Sequence, residues 1–284
     1  VRWERELASA APEIARHIKN SFASETPVTE GRRVYVYFGS AGVVGALNMS
    51  GETVWTTELG AFETTLGFGS AASPVLHGDR LYIVNDNVDQ SFMVALDKNT
   101  GREIWRVERD ERGQNWATPF VWEHAERTEI VTSGTQGVRS YGLDGNLLWE
   151  MYGMSGLTVP TPFAKHGLLY ISSGYPGGGL RPVYVVKPGA TGDISIWSPD
   201  DMRTGLSSGF PGTKASSDAI AWAYPLLGTY NTSALVYGDQ YYTLLDRGFL
   251  VAHDARPGDE AVSYTHLRAH ETRHDLVCRL LLEK

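Results

Sequence analysis

Apolar positions in this sequence come in short runs that are separated by turn residues. Runs such as Leu81–Val84 and Phe92–Leu96 are four or five residues long, which suits a strand and is too short for a helix. Glycine, asparagine, aspartate and proline stand between the runs, and these are the residues that tight turns require. The pattern therefore predicts an all-β chain of short strands.

One phrase of sequence recurs along the chain. It consists of a small hydroxyl residue, a proline, a glycine after a short gap, and then an apolar run. The prolines of four copies are Pro27, Pro74, Pro119 and Pro162, spaced 47, 45 and 43 residues apart, and a looser copy begins at Thr232. Four short strands in each repeat of this length are typical of a β-propeller blade.

A second phrase closes each repeat, and its fullest copy spans residues 95–105. Aspartate in this phrase is predicted to accept backbone N–H groups in a tight turn, and glycine to supply a positive φ. A tryptophan stands at the same place in three copies, where a large ring can wedge between neighbouring blades. The residues expected to form this structural docking motif are Trp55, Asp97, Thr100, Gly101, Trp105 and Trp149.

The phrase A-x-D-x-x-T-G-x-x-x-W resembles the tryptophan-docking motif of the pyrroloquinoline-quinone (PQQ) repeat family, and residues 95–105 match it at every fixed position. That family includes quinoprotein dehydrogenases, BamB-type outer-membrane assembly lipoproteins and secreted propellers. Gly142 and Lys187 depart from the motif, since each stands where it has aspartate. The resemblance implies a β-propeller of four-stranded antiparallel blades, in rings of seven or eight.

The likeness covers residues 1–262, which we interpret as an incomplete propeller of about five blades. The blades are predicted at roughly 21–57, 58–108, 109–151, 152–224 and 225–262. Residues 195–220 are rich in serine, glycine and proline, and are interpreted as a surface loop that lengthens the fourth blade.

Residues 263–284 break this pattern and resemble a translated sequencing-adapter tail, so we interpret them as non-native. They contain His270-Glu271-Thr272-Arg273-His274, a match to the zinc-binding H-E-x-x-H motif. No further ligand follows, and the match is interpreted as chance. The single cysteine, Cys278, also lies here, so residues 1–262 offer neither a disulfide nor a thiolate metal site.

Charge and hydropathy argue against a nucleic-acid-binding surface and against a transmembrane segment. The net charge is −8 with both signs interspersed, whereas a nucleic-acid surface needs a basic patch. No run of 18 apolar residues is present, so no transmembrane segment is predicted. The sequence begins at Val1 without a signal segment, and we expect that its N-terminus is cut. The family resemblance implies a periplasmic or extracellular protein.

Candidate binding residues lie in connections that a propeller places on one face. If the strands of a blade are lettered a to d from the axis outwards, the d→a and b→c connections share that face, which we call the loop face. The residues predicted there are Lys19, Glu25, Asp86, Trp116, Arg181, Asp246 and Arg247.

Several of these residues have a second interpretation. The run 85–89 is oxygen-rich enough for calcium but lacks the spacing of a calcium loop, so a solvated hairpin is favoured. Asp246 and Arg247 either bind a ligand or pair across blades, and pairing is favoured. Trp116 either stacks on a planar quinone or packs between blades.

Two functions remain open. The favoured one is a non-catalytic scaffold that needs no cofactor and binds a protein partner or small ligand on the loop face. The alternative is part of a PQQ- and calcium-dependent alcohol or sugar dehydrogenase. The resemblance implies that such an enzyme needs a catalytic aspartate, an acidic calcium site and, in many members, a vicinal cysteine pair. Because residues 1–262 lack cysteine and show no matching acidic group, no catalytic or metal-binding residue is predicted.

Overall fold

The fold is built almost entirely from short β-strands. The computed structural model describes residues 3–8, 17–18, 21–109, 113–135, 137–177, 179–197, 217–246 and 248–264. Within these ranges there are 21 strands, a single 3-10 turn at Thr65–Gly67 and no α-helix. The prediction of an all-β chain is therefore confirmed.

The strands form five sheets that follow one another along the chain. The first two sheets contain β1 (Val28–Thr29), β2 (Arg33–Phe38), β3 (Val43–Asn48) and β4 (Thr53–Glu58), then β5 (Val75–His77), β6 (Arg80–Asn85), β7 (Phe92–Asp97) and β8 (Glu103–Glu108). The third contains β9 (Phe120–Glu123), β10 (Thr128–Ser133), β11 (Gly137–Gly142) and β12 (Leu147–Tyr152), joined by β16 (Gly192–Asp193). The last two contain β13 (Phe163–Lys165), β14 (Leu168–Ser172), β15 (Val183–Val186) and β17 (Ile220–Tyr224), then β18 (Leu235–Tyr237), β19 (Gln240–Leu244), β20 (Leu250–Asp254) and β21 (Glu260–Tyr264).

Each sheet is one blade, whose four strands a to d pair antiparallel in chain order. The first strands of neighbouring blades lie together: β1 contacts β5, β5 contacts β9, and β9 contacts β13. The blades therefore meet along their a strands and carry their d strands outside, as in a propeller.

A register shift at one place in every blade fixes the position of the tryptophans. In each blade one residue of strand d is skipped in its pairing with strand c. In four blades the d-strand residue that follows the skipped one is a tryptophan. These tryptophans are Trp55, Trp105, Trp149 and Trp222, and Val262 takes the same place in the fifth blade. The three tryptophans that were expected to be equivalent thus share one structural position.

The indole of Trp55 docks on the next blade. Its Nε1–H donates to the carbonyl of Lys98 at 2.9 Å. Its ring lies over Gly101, which has a φ of +72° and whose Cβ, if it had one, would lie 2.4 Å from the ring. Gly101 is therefore required twice, once for the turn and once for the close approach of the ring.

Three more junctions use the same contact. Trp3, Trp105 and Trp222 donate to the carbonyls of Met49, Leu143 and Ala255 at 3.0, 2.9 and 3.0 Å. Each ring also lies over a glycine of positive φ, namely Gly51, Gly145 and Gly258. In the fullest turn, a carboxylate oxygen of Asp97 accepts the backbone N–H groups of Asn99 and Thr100 and the Thr100 hydroxyl.

At three of these four junctions, the carbonyl that accepts the indole also accepts a second donor. Arg33 donates to the Lys98 carbonyl at 3.4 Å, and Arg80 donates to that of Leu143. At the junction of blades 4 and 5 this donor is the hydroxyl of Tyr170, 3.0 Å from the Ala255 carbonyl. A charged or phenolic group from strand b thus reinforces the dock.

The junction of blades 3 and 4 is built differently. Trp149 donates to a carboxylate oxygen of Glu129 within its own blade, at 3.0 Å. Glu129 is fully buried and also accepts from Ser140 at 2.6 Å, beside His124 and Arg127. The turn of blade 4, where lysine replaces the aspartate of the motif, therefore has no docked indole.

A strap from blade 4 closes this junction instead. After the turn the chain returns to the outer edge of blade 3, where β16 pairs parallel to β12. The N–H of Ile194 donates to the Glu150 carbonyl at 2.9 Å, and Trp197 packs 5.1 Å from the ring of Tyr184. Residues 190–197, which we call the strap, thus join blade 4 to blade 3.

The prediction of a surface loop over residues 195–220 is wrong at its start, where residues 195–197 belong to the strap, and at its end, where Ile220 begins β17. Trp197 is only 7% exposed, because its ring belongs to the hydrophobic core of blades 3 and 4, and we call it the anchor of the strap. Composition misled here, since Ile194 and Trp197 are buried at the start of a stretch that is otherwise rich in serine, glycine and proline. Residues 198–216 lie outside the described part of the chain.

The last strand extends slightly past the predicted end of the propeller. β21 pairs with β20 through Tyr264, two residues beyond the expected boundary at 262. Residues 265–284, with the H-E-x-x-H match and Cys278, lie outside the described ranges. In the residues described, no helix is both long and apolar enough to cross a membrane.

Replacing the docking glycine should be more costly than replacing a glycine of similar backbone conformation. We expect Gly101→Ala to lower the free energy of unfolding by about 2–4 kcal/mol, because it adds backbone strain and displaces the Trp55 ring. Gly78 also has a positive φ, +56°, but open space surrounds its Cβ position, so Gly78→Ala should cost about 1 kcal/mol. Urea denaturation of both variants measures the difference, and equal costs would contradict the docking account.

Removing the anchor of the strap should loosen blade 3 at its outer edge. We expect Trp197→Ala to lower the free energy of unfolding by about 3 kcal/mol and to speed amide exchange at Ile194. The matched control is Tyr237→Ala, at an aromatic side chain that is 77% exposed and lies outside the docking contacts, which should cost about 1 kcal/mol or less. Hydrogen exchange followed by mass spectrometry reports both effects. Unchanged protection at Ile194 would show that the strap holds without its anchor.

Candidate functional site

The loop face collects most of the predicted binding residues, but it brings them together only in part. Glu25, Asp86 and Trp116 lie on blades 1 to 3, where they contact neighbouring protein groups. Arg181 and Asp246 lie on blades 4 and 5 and line one cleft. Lys19 and Arg247 lie outside the described residues.

Asp86 is held in a buried ion pair. It follows strand β6 and is 4% exposed. Its two carboxylate oxygens accept from the guanidinium of Arg109 at 2.8 and 3.1 Å. Arg109 also donates to the Thr132 hydroxyl at 2.6 Å, on the next blade. Because a buried charge is stable only when paired and hydrogen-bonded, Asp86 serves the junction of blades 2 and 3.

The oxygen-rich run 85–89 is a hairpin, as favoured, but much of it is buried rather than solvated. Asn87 is fully buried, and its side-chain oxygen accepts the N–H groups of Asp89 and Gln90. Its side-chain nitrogen donates to the Gln90 carbonyl. The amide of Asn85 donates to the Tyr37 hydroxyl of blade 1 at 2.7 Å. The prediction that this hairpin is solvated was wrong, because neighbouring blades cover the loop. The local sequence does not show that cover.

Glu25 binds groups of blades 1 and 2. One carboxylate oxygen accepts the N–H of Gly39 at 3.0 Å and the hydroxyl of Ser70. The other oxygen is buried and has no hydrogen-bond partner among the described residues. Burial raises the pKa of Glu25, although the bonds from Ser70 and Gly39 act in the opposite direction.

Trp116 packs between blades, which is the second of its two predicted roles. Its indole N–H donates to the Gly69 carbonyl at 3.0 Å, and its ring meets Phe68 edge-on at 6.1 Å. Both partners belong to the connection before blade 2. The indole N–H of Trp116 is therefore used in a structural contact between blades.

The cleft between blades 4 and 5 has a volume of about 570 Å³. Its walls come from the two b→c loops and from the d→a connection that joins the blades. The lining residues are Pro176, Arg181, Leu226, Gly228, Tyr230, Asn231, Leu245, Asp246 and Phe249. This size falls in the range of pockets that hold a drug-sized ligand or a few side chains.

Close backbone contacts fix two of these walls. The N–H of Gly228 donates to the Arg181 carbonyl at 2.6 Å, and the N–H of Arg181 donates to the Pro225 carbonyl at 2.9 Å. A Cβ at Gly228 would lie 2.1 Å from the Ser173 carbonyl oxygen, so only glycine fits. The loops are thereby held together before any ligand binds.

Four polar side chains of the cleft have no hydrogen bond or ion pair with another described residue: Arg181, Tyr230, Asn231 and Asp246. The pairing of Asp246 across blades that the sequence favoured is thus not seen in the described part of the chain. Burial, and then the nearby Tyr175 and Asp246, raise the pKa of Tyr230, so its phenol stays protonated at neutral pH. The cleft therefore offers a cation, an anion, an amide and a phenol to an incoming ligand.

Sequence reasoning found the two charged residues of the cleft and missed the other two. Tyr230 and Asn231 lie in a d→a connection that carries no motif. Arg109, the partner of Asp86, was missed for the same reason. The sequence did carry a weak signal for this cleft. Once the blade boundaries are assigned, the connections that contain Arg181 and Tyr230 both belong to the loop face.

Comparison with known families identifies the class of protein. The family model described as outer membrane protein assembly factor BamB matches residues 40–181, half of the chain. The chain therefore belongs to this family of PQQ-like β-propellers. No curated protein matches the sequence.

Solved structures show the same fold at low sequence identity. BamB from Moraxella catarrhalis aligns with a TM-score of 0.57 and 16% identity, over 83% of this chain and 62% of that one. A europium-containing methanol dehydrogenase aligns with a TM-score of 0.54 and 14% identity, over 84% of this chain and 50% of that one. The chain thus spans less than two thirds of either protein. At these identities the likeness concerns the propeller fold alone.

Of the predicted binding residues, Glu25, Asp86 and Asp246 carry a carboxylate. Both oxygens of Asp86 accept from Arg109, and one oxygen of Glu25 accepts from Gly39 and Ser70. The other oxygen of Glu25 and the carboxylate of Asp246 have no hydrogen-bond partner among the described residues. No three His, Cys, Asp or Glu side chains of the described ranges lie together as metal ligands would.

The raised pKa of Glu25 predicts a pH-dependent cost to stability. A carboxyl whose pKa is higher in the folded than in the unfolded state favours folding at acidic pH, and this contribution is lost as the pH rises through the folded-state pKa. Relative to Glu25→Gln, the unmodified protein should therefore lose stability as the pH rises from 4.5, the usual pKa of a glutamate, into the neutral range. Urea titrations of both proteins across that interval give the difference, and a constant gap would contradict the raised pKa.

Proposed function

We propose that this chain is a non-catalytic propeller scaffold that holds a protein partner in the cleft between blades 4 and 5. The observation that carries the proposal is a set of four polar side chains that line this cleft and make no hydrogen bond or ion pair in the described part of the chain. Asn231 and Asp246 are exposed and Arg181 and Tyr230 are half-buried, so their polar groups are open to an incoming ligand.

The rest of the described loop face supports the same function. Asp86 and Trp116 are used to join blades, so their polar groups are not available to a substrate. A protein partner, rather than a small ligand, is supported by the family model, whose description is an outer membrane protein assembly factor. This description also supports our proposal of a periplasmic or extracellular location.

Site-specific cross-linking tests whether a protein binds at the cleft. We expect a benzophenone amino acid in place of Tyr230 to cross-link one protein from an envelope extract of the source organism, and excess unlabelled chain to compete with it. The matched control is the same replacement at Tyr237, an exposed tyrosine (77%) at the far end of the same blade. Cross-linking at neither position, or equally at both, would count against the proposal.

The dehydrogenase alternative has its own test. The full chain is titrated with PQQ and calcium by absorbance, and dye reduction is then assayed with a panel of alcohols and sugars. The scaffold proposal expects neither quinone binding nor turnover. Stoichiometric quinone binding with dye reduction would overturn it in favour of the enzyme.

A further inference from the structure

The two charges of the cleft do not neutralise each other. Arg181 and Asp246 line the same cleft, yet no ion pair joins them, and neither pairs with another residue of the described ranges. Since Asp246 is exposed and Arg181 is half-buried, both charges are open to a ligand that bridges them. A ligand that carries both signs can do so, whereas a ligand of one sign is attracted at one end and repelled at the other.

Each charged group limits the chemistry that it accepts. The guanidinium of Arg181 presents a planar fork that matches a carboxylate. The carboxylate of Asp246 accepts from an ammonium or guanidinium group. The whole chain has a net charge of −8, which attracts basic partners in general. Arg181 is the group of the cleft that selects, in addition, for an acidic side chain on the partner.

The remaining walls fit a peptide better than a free small molecule. The amide of Asn231 has both a donor and an acceptor, as a peptide unit does, and it is exposed at the cleft. Leu226, which is 44% exposed, and Phe249 supply an apolar wall between the polar groups. A free zwitterion would satisfy the charges but leave this amide and this wall uncovered.

The cleft is also fixed in shape before binding. The bonds between Gly228, Arg181 and Pro225 hold two of its loops together. A preformed site loses less conformational entropy when a flexible chain binds, which favours recognition of a short linear segment.

We propose that the cleft recognises an extended peptide segment that carries one acidic and one basic side chain on either side of an apolar residue. The acidic side chain contacts Arg181 and the basic one contacts Asp246, while the apolar residue lies against Leu226 and Phe249. This inference rests on the proposed function, and it adds the chemistry by which the partner is selected.

Blocked pentapeptides, acetylated and amidated, test this inference directly. The three probes share length and a central leucine and contain Lys-Leu-Glu, Lys-Leu-Lys or Glu-Leu-Glu, and calorimetry gives the dissociation constants with the full chain. We expect the mixed-charge peptide to bind about tenfold or more tightly than either other peptide. Equal affinity for all three would overturn the inference.

Charge reversal should switch the preference. Arg181→Glu should favour the Lys-Leu-Lys peptide, and Asp246→Lys should favour the Glu-Leu-Glu peptide, each by about tenfold. The control Asp79→Lys makes the same change in net charge as Asp246→Lys, at a side chain that is 82% exposed in the turn between strands a and b of blade 2, and should leave the preference unchanged. Circular dichroism verifies that each variant is folded. A preference that follows net charge alone would overturn the assignment to these two residues.

Two further outcomes separate the inference from the proposed function. If a protein cross-links at position 230 but the peptides show no charge preference, the segment assignment is wrong and the scaffold stands. If neither occurs, both are wrong. If the free dipeptide Lys-Glu binds as tightly as the blocked mixed-charge peptide, the cleft is a site for small zwitterions and the peptide assignment is wrong.

Discussion

The hydrogen bond from a tryptophan indole to a turn carbonyl of the next blade is the contact on which this propeller depends. A single blade has two broad apolar faces and cannot bury both alone, so its stability comes from its neighbours. The indole of Trp55 covers a glycine turn and satisfies the Lys98 carbonyl at once. Since the same carbonyl takes a second donor from strand b, the junction fixes both the spacing and the tilt of adjacent blades.

One junction departs from this arrangement, and it lies between blades 3 and 4, next to the junction that holds the cleft. Trp149 turns inward to Glu129, and the strap from blade 4 pairs with blade 3 in place of the dock. Blades 4 and 5 are then joined by the ordinary contact, from Trp222 to Ala255. The cleft with Arg181 and Asp246 thus stands on a pair of firmly docked blades, which keeps its walls in place for a ligand.

The repeat made the fold readable from the sequence, because four of the five blades carry a tryptophan at the same position of strand d. Where that pattern stops, prediction fails for physical reasons. The strap was missed because its buried residues, Ile194 and Trp197, stand at the start of a stretch that is rich in serine, glycine and proline. Asp86 was expected in a solvated hairpin, but its partner Arg109 comes from a connection 23 residues further on. In the cleft, the charges of Arg181 and Asp246 were conspicuous, whereas the contribution of Tyr230 depends on how two loops approach.

Hydrogen exchange at the tryptophan side chains tests the central claim most directly. In a protein labelled with nitrogen-15 at tryptophan, each indole N–H gives a separate nuclear magnetic resonance signal. The account predicts that the indole N–H groups of Trp55, Trp105 and Trp222 exchange with solvent as slowly as amides in the neighbouring strands. Indole exchange as fast as that of free tryptophan, in a protein whose strand amides stay protected, would mean that the blades fold without docking and would contradict the account.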